Sequence, residues 1–335
     1  MTKVLTQKSA AQLRSFFKSS AAGEGSSGLG TLYRKELADH LNSKRFFLIF
    51  LLLAVTATAS LGGAISTLSG STESTEFLFL SLFTTGSSSI YSFATFLAFL
   101  GPLAGITLGF DAVGSERSQG TLNRLASQPI YRDSIINAKF LAGAAVIALT
   151  VIFLGLYLSG AGILLTGAVP SGEEVARIIA FLILAVVYIS FWLALSIIFS
   201  VVCRHAATAA LAGISIWLFL SLFMSLVASG VANALYPLEG IEGFANILPN
   251  YQLTLGLNRI SPYYLFSEAA STILNPGVRS IGVVTTTAYS GAVASSLSFG
   301  QSLLLIWPHL VVMAALVIAG FAIAYINFMR QEIRA

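Results

Sequence analysis

Residues 140–167 read FLAGAAVIALTVIFLGLYLSGAGILLTG, 28 consecutive positions without an Asp, Glu, Lys, Arg or His. As a helix this run is about 42 Å long at 1.5 Å per residue, and a bilayer's hydrocarbon core is about 30 Å thick. It is long enough and apolar enough to span a membrane. The rest of the chain follows suit. Of its 335 residues 56% are apolar and 10% charged, and its mean hydropathy is +0.84, against about 25% charged residues in soluble proteins.

Working outward, five further runs of similar character lie at 46–68, 90–110, 178–203, 206–230 and 302–329, and His309 is the one Asp, Glu, Lys, Arg or His in all six. The sequence predicts an all-α polytopic membrane protein with six transmembrane helices and one domain. The segment Phe77 to Phe83 is either a short interfacial helix or an early start of the second span.

Lys and Arg are retained on the cytoplasmic side of a membrane. With both termini inside, fifteen of the eighteen fall there: eight before Phe46, four from Asp111 to Lys139, then Arg204, Arg330 and Arg334. Only Arg177, Arg259 and Arg279 lie outside, and the acidic residues split seven to seven. A cleaved signal is not expected, because 45 residues precede the first apolar run and a signal's charged region is short. The net charge of +4 needs no nucleic-acid partner; topology and anionic membrane lipid account for it.

Residues 1–30 form a cytoplasmic segment whose Ser19 to Gly30 stretch has a flexible Gly/Ser composition. Residues 31–45 place Tyr33, Leu37 and Leu41 on one stripe, as in a helix lying in the membrane interface; the alternative is a solvated leader. Residues 46–335 are the six-span domain. It includes a cytoplasmic loop at 111–139 and a large exterior loop at 231–301, where Ser261-Pro262 opens and Asn275-Pro276-Gly277 closes a predicted amphipathic helix. That helix is expected on the outer membrane surface or over the mouth of the bundle, and the Ser/Thr-rich tract 285–298 is expected to be loop.

No catalytic residue is predicted, since there is no His-Glu-x-x-His or Gly-x-Ser-x-Gly pattern and the three histidines fall on separate elements. Cys203 and His205 are too few to hold a metal. Ion- and proton-driven transporters carry Asp, Glu, Lys or Arg within their spans, and these runs carry none, so the energy source is expected elsewhere. Gly101, Gly105 and Gly109 mark one face of the second span for close packing, within the subunit or across a dimer.

The window from Asp111 to Ser134, DAVGSERSQGTLNRLASQPIYRDS, is charged and punctuated by Gly and Pro between two spans. Residues 118–127 are predicted to form a short helix lying across the membrane axis, ended at Gln128-Pro129. With Leu108 to Gly143 around it, this string resembles the cytoplasmic loop of ABC-2 type permeases: Glu116-Arg117, Gly120-Thr121-Leu122, Leu125 to Pro129, and Lys139 opening the next span. ISPYYLFSEAASTILNP at 260–276 is similar to the exterior helix of the branch containing the nitrous-oxide-reductase maturation and gliding-motility permeases.

The resemblance, which runs from Thr31 onward, implies the membrane subunit of an ABC exporter in a prokaryotic plasma membrane. It implies that Glu116, Arg117, Gly120, Thr121, Leu122, Leu125 and Pro129 form a coupling helix on a cytoplasmic ATPase, with Arg204 as a lesser contact. Glu116 is expected to pair with a basic residue of the ATPase or of a neighbouring helix. No lysine here completes a Gly-x-x-x-x-Gly-Lys-Ser/Thr loop, so ATP and Mg belong to the partner. Two ATPase copies, a second permease copy or related permease, and an exterior partner at 231–301 are the expected company. An assembly subunit passing ATPase work to an exterior machine, and a secondary transporter or channel, are the alternatives.

Overall fold

The computed structural model describes residues 28–70, 77–118, 131–240, 243–277 and 296–330. Within these the chain is helical, and six helices are long and apolar enough to cross a membrane. In chain order they are α2 (Lys44–Gly70), α4 (Phe93–Gly109, continuing through a turn into α5, Gly114–Ser118), α6 (Arg132–Thr166), α7 (Gly172–Val202), the composite fifth span, and α12 (Phe299–Arg330). The fifth span comprises α8 (Ala206–Leu218), a π-helical turn (Phe219–Phe223) and α9 (Met224–Leu235). Preceding α2 is α1 (Gly28–Leu41); α3 (Leu78–Thr84) precedes α4. The end of the bundle bearing α1, α5 and the 203–205 turn is termed basal, the other apical.

The third and fourth spans start earlier than the charge-free runs. α6 begins at Arg132, so Lys139 lies two turns inside it; α7 begins at Gly172, so Arg177 lies in its second turn. Both are buried, Lys139 4% and Arg177 0% exposed. A charge at the end of an apolar run therefore does not mark the end of the helix when the bundle supplies its partners.

The fourth span, α7, is the centre of the bundle, in contact with α4, α6, α8, α12 and the apical helix 262–274. It is apolar nearly all round, as a helix enclosed by others must be. Ser171 and Glu174 form a reciprocal capping box at its start, and Glu174 also accepts from the Phe79 backbone N–H at 3.0 Å. That bond draws α3 into the bundle. Phe79, Leu80, Leu82 and Phe83 are buried, so this segment is a separate packed helix, neither interfacial nor part of the second span.

The glycine stripe packs on α7 within this chain. A Cβ at Gly105 would stand 2.6 Å from the Ile189 carbonyl oxygen, and one at Gly109 2.9 Å from that of Leu193; at Gly101 the neighbour is the Ile189 side chain at 3.0 Å. Of the two packings open at the outset, the face is taken by the chain's own fourth span and is not free for a second subunit. Ser196 Oγ donates to the Ile106 carbonyl (2.9 Å) across this contact, and Tyr188 Oη to that of Ala98 (2.7 Å). Pro102 lies inside α4 without ending it.

The apical segment 243–277 contradicts the expected surface helix. Here α10 (Gly243–Asn258) packs on α9, and α11 (Pro262–Leu274) is inserted between α4, α7 and α12. At its start Ser261 accepts from the Tyr264 N–H and donates to the Leu220 carbonyl oxygen at 2.7 Å, in the middle of the fifth span. The hairpin thus dips into the bundle and returns. Phe266 stacks on Tyr188, ring centroids 4.4 Å apart. The apolar stripe of Leu265, Phe266, Ala269 and Ile273 is buried against other helices. Residues 278–295, with most of the Ser/Thr-rich tract, lie outside the described residues.

Candidate functional site

At the base, three helices bring four charged side chains together. α1 packs along α6 through Leu32 and Glu36, with Leu29, Tyr33 and Leu37 partly buried beside them. Leu41, expected on that stripe, is 41% exposed. The inward face is rotated from the apolar stripe because it also buries a carboxylate.

Lys139 Nζ on α6 lies 2.8 Å from Glu116 Oε1 on α5 and 3.2 Å from Glu36 Oε2 on α1. Lys35 Nζ closes the group at 3.0 Å from Glu36 and 3.7 Å from Glu116, and reaches Asp39 at 3.5 Å. Burial pushes the Glu36 carboxyl up, but Lys139 and Lys35 outweigh it and hold the group below its ordinary value. Lys35 is shifted up: burial opposes its charge, and the hydrogen bond and attraction of Glu36 prevail. Of the two partners predicted for Glu116, the structure supplies the neighbouring helix.

The other side of α5 is tied to the fourth span. Ser200 Oγ accepts from the Val113 and Gly114 N–H groups at 3.0 and 3.2 Å. Arg117 donates to the carbonyls of Val201 (3.2 Å) and Cys203 (3.5 Å), the C-terminal end of α7, where a cation is favoured by the helix dipole. Arg204 follows at once and is exposed. The root of the polar window and the 203–205 turn, read separately from sequence, are thus in direct contact. Arg45 makes a close ion pair with Asp111 and stands over the Phe110 ring, 5.1 Å from its centroid.

Of the predicted coupling residues, Glu116, Arg117 and Arg204 are placed as above; Gly120, Thr121, Leu122, Leu125 and Pro129 lie outside the described residues, as does the predicted 118–127 helix beyond Ser118. Sequence reasoning missed Lys139 as the partner of Glu116 and Glu36 as the second carboxylate on Lys139. The available signal was that Glu36 sits among the inward-facing positions of α1 at i, i+4 from Leu32.

A second polar constellation lies toward the apical end. Arg177 donates to Glu173 (2.8 and 3.0 Å), to the Ile273 and Leu297 carbonyls (2.9 and 2.6 Å) and to Ser302 Oγ (3.1 Å), joining α7, the end of α11 and the start of α12. Nearer the bundle's middle, Arg259 makes a two-pronged contact with Glu268 (3.0 and 2.8 Å), whose Oε2 is 2.7 Å from His309 Nε2. No group of three His, Cys, Asp or Glu suited to a metal occurs among the described residues.

The family of ABC-2 family transporter proteins matches residues 31–333. Among individual proteins, a probable ABC transporter permease protein NosY of Stutzerimonas stutzeri is 36% identical over 121 residues, 36% of this chain and 40% of that protein. Its namesake from Pseudomonas aeruginosa is 31% identical over the same extent. The matched stretch thus spans about two fifths of these relatives' length. The chain belongs to the ABC-2 family. It is a multi-pass membrane protein of that family.

Proposed function

We propose that this permease is an exporter subunit of a prokaryotic plasma membrane, driven by separate cytoplasmic ATPases that push on the 111–134 window. The basal end faces the cytoplasm in this reading, because fifteen of the eighteen Lys and Arg belong to the sequence segments on the side of the two termini. The observation that carries the reading is the double grip on α5, by Glu116 on Lys139 of α6 and by Arg117 on the end of α7.

A force on the window reaches two spans directly, and α1 through Glu36. Gly120, Thr121, Leu122, Leu125 and Pro129 would make the ATPase contact, with Arg204 beside them. A rigid root turns ATPase closure into rearrangement of the spans. ATP and Mg are bound by the partner, present in two copies, and the permease works with a second permease copy or a relative of it.

Affinity purification of the tagged chain from its native membranes in mild detergent, with mass spectrometry of what is retained, tests this reading. A P-loop ATPase in roughly equal amount is expected. Recovery of the chain alone, even after crosslinking, contradicts it and favours a secondary transporter.

A further inference from the structure

The re-entrant hairpin is fixed to the bundle at three places of different character. At its top, the end of α11 is held by Arg177, itself 0% exposed and bonded to Glu173, two carbonyls and Ser302. At its turn, Ser261 Oγ donates to the Leu220 carbonyl within the π-helical turn of the fifth span; such turns break the regular helical hydrogen-bond ladder and occur often at functional sites. Between the two, Glu268 spans from Arg259 at the turn to His309 of the sixth span.

The three ties differ in what can reach them. The Arg177 guanidinium is 0% exposed, though its partner Glu173 is 39% exposed, whereas in the other tie the cation itself is reached by solvent: the Arg259 side chain is 33% and that of Glu268 13% exposed. Among the described residues the His309 ring has Glu268 as its hydrogen-bond partner, and its Nδ1 is buried without one. The imidazole is therefore held to the hairpin by a single carboxylate oxygen. The fifth span is the one least enclosed by this chain, with 17% of its apolar window buried against 61% for the fourth, and the hairpin's turn is fastened to its middle.

We propose that Arg259, Glu268 and His309 form a releasable latch between the re-entrant hairpin and the sixth span, with the Arg177 cluster as the pivot about which α11 swings when it opens. Movement of the fifth span, entering at the 203–205 turn, reaches the hairpin through Ser261 and pulls Glu268 from His309. Glu268 and His309 act here as positioning residues. The release step rests on the ATP-driven reading given above; the existence of the latch does not.

The test is hydrogen–deuterium exchange on the full-length chain, purified with whatever ATPase accompanies it and reconstituted in lipid nanodiscs. Glu268→Gln, His309→Leu and the double variant are compared with the unaltered protein. In the absence of nucleotide, each single variant is expected to speed exchange at 259–268 roughly tenfold or more, the effect of losing a hydrogen bond to a charged group. Glu268→Gln, which also weakens the pair with Arg259, should be the faster of the two singles, and the double variant no faster than it, because the His309 contact is shared. Exchange at 132–166 should be unchanged, and ATP with Mg should speed exchange at 259–268 in the unaltered protein.

Single variants at the unaltered rate would overturn the latch, and so would acceleration spread over all spans, which marks a fold element. Loosened variants with no nucleotide effect in a complex that hydrolyses ATP would make the contact a static brace and overturn its release. If no ATPase accompanies the chain, the ATP-driven reading fails, while the nucleotide-free comparison still decides whether Glu268 ties the hairpin to His309.

Discussion

Lys139 and Glu116 form an ion pair of 2.8 Å, both side chains nearly buried, on the two helices that bracket the polar window. The window's root is thereby fixed to the third span at the point where the window rejoins it. Lys139 bridges a second carboxylate, Glu36, so its loss leaves both carboxylates to the half-exposed Lys35. Lys139→Met should destabilise the protein by about 3–5 kcal/mol, the cost of breaking a buried pair from one side. Thermal unfolding in detergent checks this, and Glu116→Gln in the same chain should recover part of the loss. A Lys139→Met protein as stable as the unaltered one would remove the cluster from the account.

Glu116→Arg places a third positive charge beside Lys139 and Lys35. We expect ATP hydrolysis by the complex to continue while transport is lost, with α1 also loosened. Comparing hydrolysis with substrate movement in proteoliposomes measures the uncoupling; coupled transport at the normal rate would speak against a lever at this position.

The docking of α1 should depend on pH. The Glu36 carboxyl is held below its ordinary 4.5, so its contribution is present above that value and lost as pH falls through the lower folded value. Lys35 is raised above its ordinary 10.5, so its contribution is present below that value and lost as pH rises through the higher folded one. Exchange protection of residues 28–41 should form a plateau between these limits and fall first in acid. Equal protection at pH 3 and pH 7 would contradict the sign.

Gly105→Ala should separate the second and fourth spans, because the added carbon would stand 2.6 Å from a backbone oxygen that cannot turn aside. A loss of about 1–3 kcal/mol is expected from overpacking. Gly160→Ala meets nothing within 4 Å and serves as the control in the same melting experiment.

The six spans, the all-α class and the Ser261-Pro262 helix start were legible because hydropathy, charge placement and capping chemistry are local. What was not legible depends on partners distant in sequence. Arg177 was read as a loop charge because it ends an apolar run; it is buried since the end of α11 and Ser302 supply acceptors. The re-entrant course of 243–277 was hidden for the same reason: an amphipathic helix presents one stripe to lipid or to other helices alike. Glu268, counted with Arg259 among the exterior charges, joins Arg259 to His309, the one Asp, Glu, Lys, Arg or His within the six apolar runs. At the base, the signature picked out Glu116 and Arg117, but only the fold shows them facing opposite sides, one to Lys139 and one to the end of α7.

Site-directed crosslinking asks whether an ATPase acts on the 111–134 window. With Cys203 replaced by Ser, a single cysteine at Thr121 is treated with a short thiol-reactive crosslinker in native membranes, and a cysteine at Tyr236, at the other end of the fifth span, is treated alongside. The account predicts an adduct between the Thr121 variant and a P-loop ATPase, altered in yield by ATP, and none from Tyr236. No adduct at Thr121 under conditions where the ATPase co-purifies, or an equal adduct at Tyr236, would contradict it.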